Sequence, residues 1–222
     1  MVRYRTDPVF YNVESSLKLT SDVIPLPVWL DLFGIAVFAA SGALAAAHRG
    51  QTLVTFSFFA LVTGVGGGTV RDLLIGAPVF WVQDWRVPAI CLAVVGLIWI
   101  TPVRWWQGRA LDWFDAVGLS VYAVLGASKT LAMGIAPITA VLMGVITACV
   151  GGIIRDVLAG EPSILLRPEI YVTAAALAAG LFVLMAWAGV PLLIAAIIGA
   201  LAGFALRAMA IVKGWAIPSY KG

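Results

Sequence analysis

This chain contains two glycine-rich motifs, each followed by an Arg-Asp pair. Their residue types and spacing could bind or conduct a solute. The first motif is GVGGGTVRD at residues 64–72, and the second is VGGIIRD at residues 150–156. Glycine is a poor helix former, so clustered glycines in an apolar helix are expected to kink or unwind it. Carbonyls freed in this way can face a cation, and the half-helix that follows presents a positive amino end. The glycines predicted to form these breaks are Gly66, Gly67, Gly68, Gly151 and Gly152.

Close packing is a second interpretation of the same glycines, because small residues let two helices approach each other. Recurrence of the motif at two places, each time followed by Arg-Asp, favours a functional break. A phosphate-binding loop is excluded because the Gly-Lys-Ser/Thr ending is missing.

Four charged side chains of these motifs are predicted to lie at membrane depth: Arg71, Asp72, Arg155 and Asp156. Adjacent positions on a helix point in different directions, so each side chain is predicted to pair with a group elsewhere, across the two halves of the chain. Two roles remain open for them. The first role is structural, in which buried pairs lock the halves together or Arg reaches the headgroups. The second is direct contact with a permeating species.

Lys129 is a further charged residue within an apolar segment. A lysine well inside a bilayer is costly, so it should face a cavity, a carboxylate or a set of carbonyls, unless it is close enough to the interface to reach water. Ala45 takes the equivalent place in the first half of the chain, so the charge breaks the symmetry between the halves. This asymmetry suggests a gate or a selectivity element.

Several polar residues are candidates for a pathway entrance or lining. Asp31 and Asp115 start equivalent helices, where a carboxylate either stabilises the positive helix end or attracts cations to an entrance. The hydroxyl side chains could hydrate a pathway, although within helices they more often bond to the preceding turn. These hydroxyl residues are Ser41, Thr63, Ser120 and Thr147.

The elements that must position these residues form an internal repeat. Residues 31–78 align without a gap onto residues 115–162 at a constant offset of 84, with 16 of 48 pairs identical. Each copy holds three apolar segments, and an odd number of crossings reverses the polarity of the next copy. The two copies are therefore predicted to be inverted relative to each other, an arrangement typical of proteins that carry solutes at the repeat interface.

Composition places the chain in a membrane. The 222 residues are 62% hydrophobic and 11% charged, and the mean hydropathy is +1.04, whereas soluble domains carry about 25% charged residues. A helix needs roughly 20 apolar residues to cross a bilayer. We predict an all-α polytopic membrane protein with seven transmembrane helices, as two inverted three-helix repeats plus a seventh helix. The predicted spans are about 27–47, 53–74, 87–103, 111–132, 135–158, 169–187 and 190–212.

The predicted divisions are a polar N-terminal leader at 1–26, the first repeat at 27–109, the second at 110–188, the seventh helix at 189–213 and a tail at 214–222. Basic residues flanking the spans favour an external amino terminus and a cytoplasmic carboxyl terminus. The side predicted to be cytoplasmic holds Arg49, Arg104, Arg109, Arg167, Arg207, Lys213 and Lys221, against Arg3, Arg5, Lys18 and Arg86 on the other.

Other function classes find no support in the sequence. The basic residues form no run or stripe, which argues against a nucleic-acid partner. One His and no cluster of Cys, Asp and Glu argue against a metal site. No catalytic triad, carboxylate pair or nucleotide motif is present, so we expect neither an enzyme nor a cofactor.

The duplicated motifs GGGxxRD and GGxxRDxLxGxxP, with three spans per copy and a seventh span, resemble the prokaryotic trimeric intracellular cation (TRIC) channels. Bacterial members of that family are also described as putative glycine-transporter membrane proteins. The resemblance covers about residues 27–212. It implies a homotrimer in the bacterial inner membrane, surrounded by lipid, in which each protomer conducts potassium and, less selectively, sodium.

The resemblance also assigns roles to particular residues. It implies a pore between the first, second, fourth and fifth helices, kinked at the glycine motifs, and a gating role for Lys129. The second motif has Val150 where the first has Gly66, which predicts a milder kink there. Two alternatives to a channel stay open: a secondary transporter of a small zwitterion such as glycine, and a packing subunit with no pathway of its own.

Overall fold

A computed structural model describes residues 26–106, 108–164 and 170–216 of the chain. Within these ranges the chain forms seven α-helices and two short 3₁₀ turns, which confirms the predicted all-α fold with seven helices. The predicted leader, apart from residue 26, and residues 217–222 of the predicted tail lie outside the described residues. The helices are α1 Val28–His48, α2 Leu53–Leu74, α3 Arg86–Ile100, α4 Ala110–Ala132, α5 Pro137–Ala159, α6 Val172–Trp187 and α7 Leu192–Lys213; the 3₁₀ turns are Phe80–Val82 and Val103–Trp106.

Within the described part of the chain, five helices are long and apolar enough to cross a membrane: α1, α2, α4, α5 and α7. The other two, α3 and α6, are apolar but shorter, with 15 and 16 residues. The third predicted span extended to residue 103, but α3 ends at Ile100. Thr101 precedes Pro102 and takes an extended conformation with ψ 148°, since the proline ring disfavours helical backbone at the residue before it.

The helices of each copy pack in the same way. Helix α1 contacts α2 and α3, and α4 contacts α5 and α6. Between the copies, α1 packs on α4 and α2 packs on α5, while α7 covers α6 and α4. These helix–helix contacts within the first copy therefore have their counterparts in the second.

Glycines set the α1–α4 contact at equivalent positions. A methyl group added at Gly34 would overlap the ring of Tyr122, and one added at Gly118 would overlap the ring of Phe38. These two contacts are related by the repeat offset. The aromatic rings of Phe38 and Tyr122 lie 5.2 Å apart, centre to centre, in this interface. Each glycine thus accommodates the aromatic side chain that the opposite copy presents.

The α2–α5 seam, which we define by Thr63, Gly67, Thr147 and Gly151, follows the same rule. A Cβ at Gly67 would collide with the backbone oxygen of Thr147, and a Cβ at Gly151 would lie 2.5 Å from the backbone oxygen of Thr63. The residues of α2 meet those of α5 in reverse order, so the two helices run antiparallel. The helices touch through their backbones at this seam.

The predicted unwinding at the glycine motifs is wrong, whereas a kink there stays a prediction. Both α2 and α5 continue as α-helix through their motifs. Glycine lowers intrinsic helix propensity by about 1 kcal/mol, which tertiary packing readily overrides. Here the missing side chains let two backbones meet, and the close-packing interpretation of Gly67 and Gly151 is the one the structure supports.

Arg207 was counted in the sequence among the basic residues that flank a span, and that placement is also wrong. It lies within α7 and is 1% exposed. Its guanidinium sits 5.3 Å from the ring centre of Tyr171 and donates to the backbone oxygen of Ile170 at 3.2 Å. The residue belongs to the packing of α7, because its long side chain finds an aromatic face and a carbonyl inside the protein.

Candidate functional site

The first charged group, which we call the Asp72 cluster, consists of Arg71, Asp72, Lys129 and Phe80. One carboxylate oxygen, Asp72 Oδ1, accepts from Arg71 Nε at 2.9 Å and pairs with Lys129 Nζ at 2.8 Å. The other, Asp72 Oδ2, accepts from the backbone amide of Phe80 at 3.1 Å. Asp72 is fully buried, whereas the side chain of Lys129 is 34% exposed. Lys129 from the second copy therefore joins a carboxylate of the first, one of the partners predicted for it.

Phe80 covers this cluster. Its ring lies against Gly68, where an added Cβ would be 2.6 Å from the ring, and both Arg71 Cζ and Lys129 Nζ lie 5.9 Å from the ring centre. Cations at this distance from an aromatic face are attracted by its quadrupole. Trp81 follows in the chain and donates its indole N–H to Thr69 at 2.9 Å. The aromatic cover was not predicted from the sequence.

The second charged group, the Asp156 cluster, consists of Arg155, Asp156, Asp115 and Ser41. Asp156 Oδ1 accepts from Arg155 Nε at 2.9 Å and Nη2 at 2.8 Å. Arg155 Nη1 donates to Asp115 Oδ1 at 2.6 Å and to Ser41 Oγ at 3.1 Å. Asp156 Oδ2 accepts from the backbone amide of Ile164 at 2.8 Å. Arg155 is 1% exposed, so its charge is compensated inside the protein.

The two clusters share one architecture at the repeat offset. In each, the Arg-Asp pair is bonded to itself, and the second carboxylate oxygen is bonded to an amide eight residues later. Gly76 and Gly160, with φ of 69° and 67°, end α2 and α5 in the left-handed region and turn the chain back toward the carboxylate. Asp72 and Arg155 also pair with groups elsewhere, Lys129 and Asp115, as predicted. The additional bond between neighbours was not predicted, and it forms because a guanidinium is long enough to fold back onto the next residue.

A cavity of about 260 Å³ adjoins the Asp156 cluster. Two ion pairs stand at this cavity: Arg49 with Glu161 at 2.6 Å, and Arg109 with Asp112 at 3.0 Å. The residues that line the cavity are Ala45, His48, Arg49, Gly108, Arg109, Leu111, Asp112, Arg155, Asp156, Ala159, Glu161 and Ile164.

Two buried tyrosine hydroxyls were not predicted from the sequence, and that of Tyr171 lies close to the second glycine motif. A Cβ added at Gly152 would lie 2.7 Å from Tyr171 Oη and 3.2 Å from Asp115 Oδ1. Among the described residues, four buried side-chain oxygens have no hydrogen-bond partner: Thr63 Oγ1, Asp115 Oδ2, Tyr122 Oη and Tyr171 Oη. Polar atoms in this position are often completed by water. Asp115 and Tyr171 therefore add unpartnered oxygens beside the Asp156 cluster.

The two aspartates predicted to start equivalent helices differ. Asp31 lies in the first turn of α1, half-buried, within electrostatic range of Arg71 and Lys129. Asp115 is not at a helix end, since α4 already begins at Ala110 and places Asp115 more than a turn inside. Its predicted capping role is wrong, and it is a fully buried partner of Arg155 instead.

Three of the predicted hydroxyl residues bond to the preceding turn of their own helix. Ser41 donates to the Phe38 carbonyl, Ser120 to Ala116 and Thr147 to Met143, at 2.9, 2.8 and 2.5 Å. Ser41 additionally accepts from Arg155. Gly66 faces Ile154 of α5, 3.0 Å from where its Cβ would lie. Ser120 instead faces α7, 3.5 Å from where a Cβ of Gly203 would lie, whereas Thr63, Thr147, Gly66, Gly67 and Gly151 lie at the α2–α5 seam.

Sequence comparisons identify relatives among bacterial membrane proteins. The family model described as Glycine transporter matches residues 28–102 and 112–188, two stretches that begin at the repeat offset. A UPF0126 membrane protein of Vibrio cholerae is 38% identical over 169 residues, which cover 73% of this chain and 68% of that protein. The UPF0126 inner membrane protein YadS of Escherichia coli is 37% identical over 155 residues, covering 67% and 73%.

Solved structures share the fold. A TRIC trimeric intracellular cation channel orthologue from Rhodobacter sphaeroides is 44% identical, with a TM-score of 0.79, over 85% of this chain and 98% of its own. A second structure, described as a TRIC cation channel, is 29% identical with a TM-score of 0.78, over 88% and 97%. A trimeric intracellular cation channel from C. elegans shares the fold alone, at 15% identity and a TM-score of 0.60, over 90% and 98%.

Proposed function

This chain belongs to the protein family whose model is described as Glycine transporter, and from its likeness to solved TRIC cation channels we propose that it is a potassium-preferring channel for monovalent cations in a bacterial inner membrane. Its predicted resemblance to the TRIC channels is confirmed by solved structures at up to 44% identity. Sodium would permeate less selectively, and three copies would assemble with a separate pathway in each. The structural neighbours named above are ion channels rather than enzymes.

The observation that carries this proposal is the pair of equivalent carboxylate clusters at opposite ends of the α2–α5 seam. Asp72 lies five residues beyond Gly67, and Asp156 lies five beyond Gly151, on antiparallel helices. Gly151 meets α2 at Thr63, four residues before Gly67, so about 14 residues separate the two carboxylates along the helix axis. At a rise of 1.5 Å per residue they are roughly 20 Å apart, most of the thickness of a bilayer core. A route between them runs along α1, α2, α4 and α5.

The structure corresponds to a closed state in this proposal. The α2 and α5 backbones touch at Gly67 and Gly151, and Lys129 with Phe80 closes the Asp72 cluster. Conduction requires the two helices to part at the seam and the ammonium of Lys129 to leave Asp72. Because a glycine contact has no interlocked side chains, a small displacement separates the backbones there. Lys129 therefore acts as a gate and the Arg-Asp pairs hold the helices that move.

We further propose that the two copies are inverted in the membrane, with the first repeat at 27–109, the second at 110–188 and the seventh helix at 189–213. The antiparallel seam and the repeated helix contacts support this arrangement. The amino terminus would be external and the carboxyl terminus cytoplasmic. Without Arg207, six basic residues still flank the cytoplasmic side against four on the other.

Transport of glycine is the second candidate, favoured by the description of the matching family model and by the size of the cavity at the Asp156 cluster. A zwitterion would place its carboxylate near Arg155 and its ammonium near Asp156. Both groups are already committed to each other, so such binding must compete with their ion pair. The channel is therefore the better-supported function.

Flux through purified protein in liposomes separates the two candidates. Potassium-loaded vesicles should lose potassium without valinomycin when they contain the wild-type chain, and empty vesicles should not. Labelled glycine should show no saturable uptake under sodium, proton or potassium gradients. Saturable, gradient-coupled glycine uptake without potassium leak would instead establish the transporter, and the absence of both fluxes would leave the packing subunit.

A further inference from the structure

The two clusters differ in charge in a way that the repeat makes visible. The Asp72 cluster, with Asp31 near it, has two carboxylates balanced by Arg71 and Lys129. The equivalent groups in the other half are Asp115, Arg155 and Asp156. Ala45 stands at the position equivalent to Lys129, so within the described ranges this group has one positive charge fewer than the Asp72 cluster.

The two ion pairs at the cavity do not supply the missing charge. Arg49 is bonded to Glu161, and Arg109 to Asp112, so each pair is neutral as a whole. The two arginine side chains are also partly exposed to solvent, 41% for Arg49 and 53% for Arg109. Counting only the groups that the structure describes, the Asp156 cluster thus has a formal charge of −1 at buried positions. A net buried charge is costly unless a counter-charge accompanies it.

The cavity occupies the place that the ammonium takes in the other half. Four of its lining residues, Ala45, Arg155, Asp156 and Ile164, are the repeat equivalents of Lys129, Arg71, Asp72 and Phe80. Ile164 replaces the aromatic cover, and Ala45 leaves the space that a lysine side chain fills elsewhere. The side chain of Asp156 is 11% exposed, whereas that of Asp72, capped by Lys129, is 0% exposed. The carboxylate in the cavity is therefore open on the side where its counterpart binds a cation.

The volume is suitable for a hydrated ion. About 260 Å³ holds a monovalent cation with several waters, since one water takes roughly 30 Å³ of liquid. Asp115 Oδ2, buried and without a hydrogen-bond partner among the described residues, adds unneutralised negative potential behind Arg155. Arg155 already donates to both aspartates and cannot serve as their only counter-charge.

We propose that the cavity at the Asp156 cluster is a binding site for one monovalent cation, held with its water at Asp156 in the position that the Lys129 ammonium takes at Asp72. The ammonium group of Lys129 then takes at Asp72 the place that the ion takes at Asp156. The role of this site rests on the proposed channel function: it would supply cations to the pathway at the end opposite to Lys129. The binding of the ion itself can be measured without any flux.

Thallium(I), a potassium substitute with strong anomalous scattering, tests the site directly in crystals of the full chain. The wild-type protein should show one thallium peak per protomer within the cavity, beside Asp156. Ala45→Lys should abolish that peak, because its ammonium takes the place of the ion, while Ala45→Met, of similar length and no charge, should weaken it less. Lys129→Ala should show two peaks, the second beside Asp72.

Several outcomes would overturn the proposal. A wild-type protein with no thallium peak in the cavity contradicts it, and a peak that persists unchanged in Ala45→Lys is an adventitious ion only. If Ala45→Lys does not fold, Lys129→Ala decides, since failure to gain a second peak contradicts the equivalence of the two halves. A thallium peak in a protein that passes no potassium keeps the site and refutes the channel. Potassium flux with no peak keeps the channel and refutes the site.

Discussion

Replacing Lys129 with methionine tests the proposed gate most sharply. The change keeps the length of the side chain but removes the ammonium that lies 2.8 Å from Asp72 Oδ1. An exposed ion pair contributes roughly 0.2–1 kcal/mol, and loss of one partner of a buried pair costs about 3–5 kcal/mol. Asp72 is fully buried but the Lys129 side chain is 34% exposed, so the closed state should lose an intermediate amount.

We expect about 1–2 kcal/mol of lost preference for the closed state, which multiplies the ratio of open to closed channels by roughly 5–30. Potassium efflux from liposomes at equal protein content should rise by a comparable factor. Lys213→Met is the matched control, because Lys213 is an exposed residue at the end of α7 that lies against Trp215. Equal efflux from wild-type and Lys129→Met vesicles, or an equal rise in Lys213→Met, would refute a gate at Asp72.

Three further predictions concern the seam, the buried ion pair and the aromatic cover. Gly67→Ala should lower stability by about 1–3 kcal/mol in a detergent melting assay, because the added methyl group meets the backbone of α5. The control Gly96→Ala should be neutral or stabilising, because there is open space around Gly96. Equal effects of the two changes would contradict the backbone contact at Gly67. Arg155→Ala should lower stability by about 3–5 kcal/mol in the same assay, because it leaves two buried carboxylates unpaired. The control Arg49→Ala, at an exposed ion pair, should lower stability by no more than about 1 kcal/mol. A small loss of stability in Arg155→Ala would mean that water replaces the guanidinium. Phe80→Ala should raise potassium efflux without loss of folding, and unchanged efflux would show that the ring does not cover the pathway.

Much of the fold could be predicted from the sequence because a bilayer leaves few choices. Long apolar segments must be helical, and the constant offset between the copies indicates which helices are equivalent. A carboxylate was among the partners predicted for Lys129, because a lysine at membrane depth requires compensation, and Asp72 is that carboxylate. These conclusions depend on composition and spacing, which the sequence contains.

The remaining features depend on three-dimensional contacts. Glycine in a helix either breaks it or permits close packing, and only the position of Thr147 relative to Gly67 decides between them. Phe80 covers Asp72 because the chain turns back at Gly76. The sequence can indicate such a turn, but it does not indicate which residue the returning chain will contact. Asp115 was expected to be a helix cap because it aligns with Asp31, and its actual partner, Arg155, is 40 residues away in the chain.

The most direct measurement of the central claim is the current through planar bilayers that contain the Ala45→Cys variant, recorded before and after treatment with a thiol reagent carrying an ethylammonium group. Ala45 lines the cavity, and both native cysteines are buried. The pathway proposed here predicts a cation-selective current that falls when the added ammonium fills the cavity, while wild-type current stays unchanged. No cation-selective current, or one that the modification at position 45 leaves unaltered, would contradict conduction through the seam between the two halves.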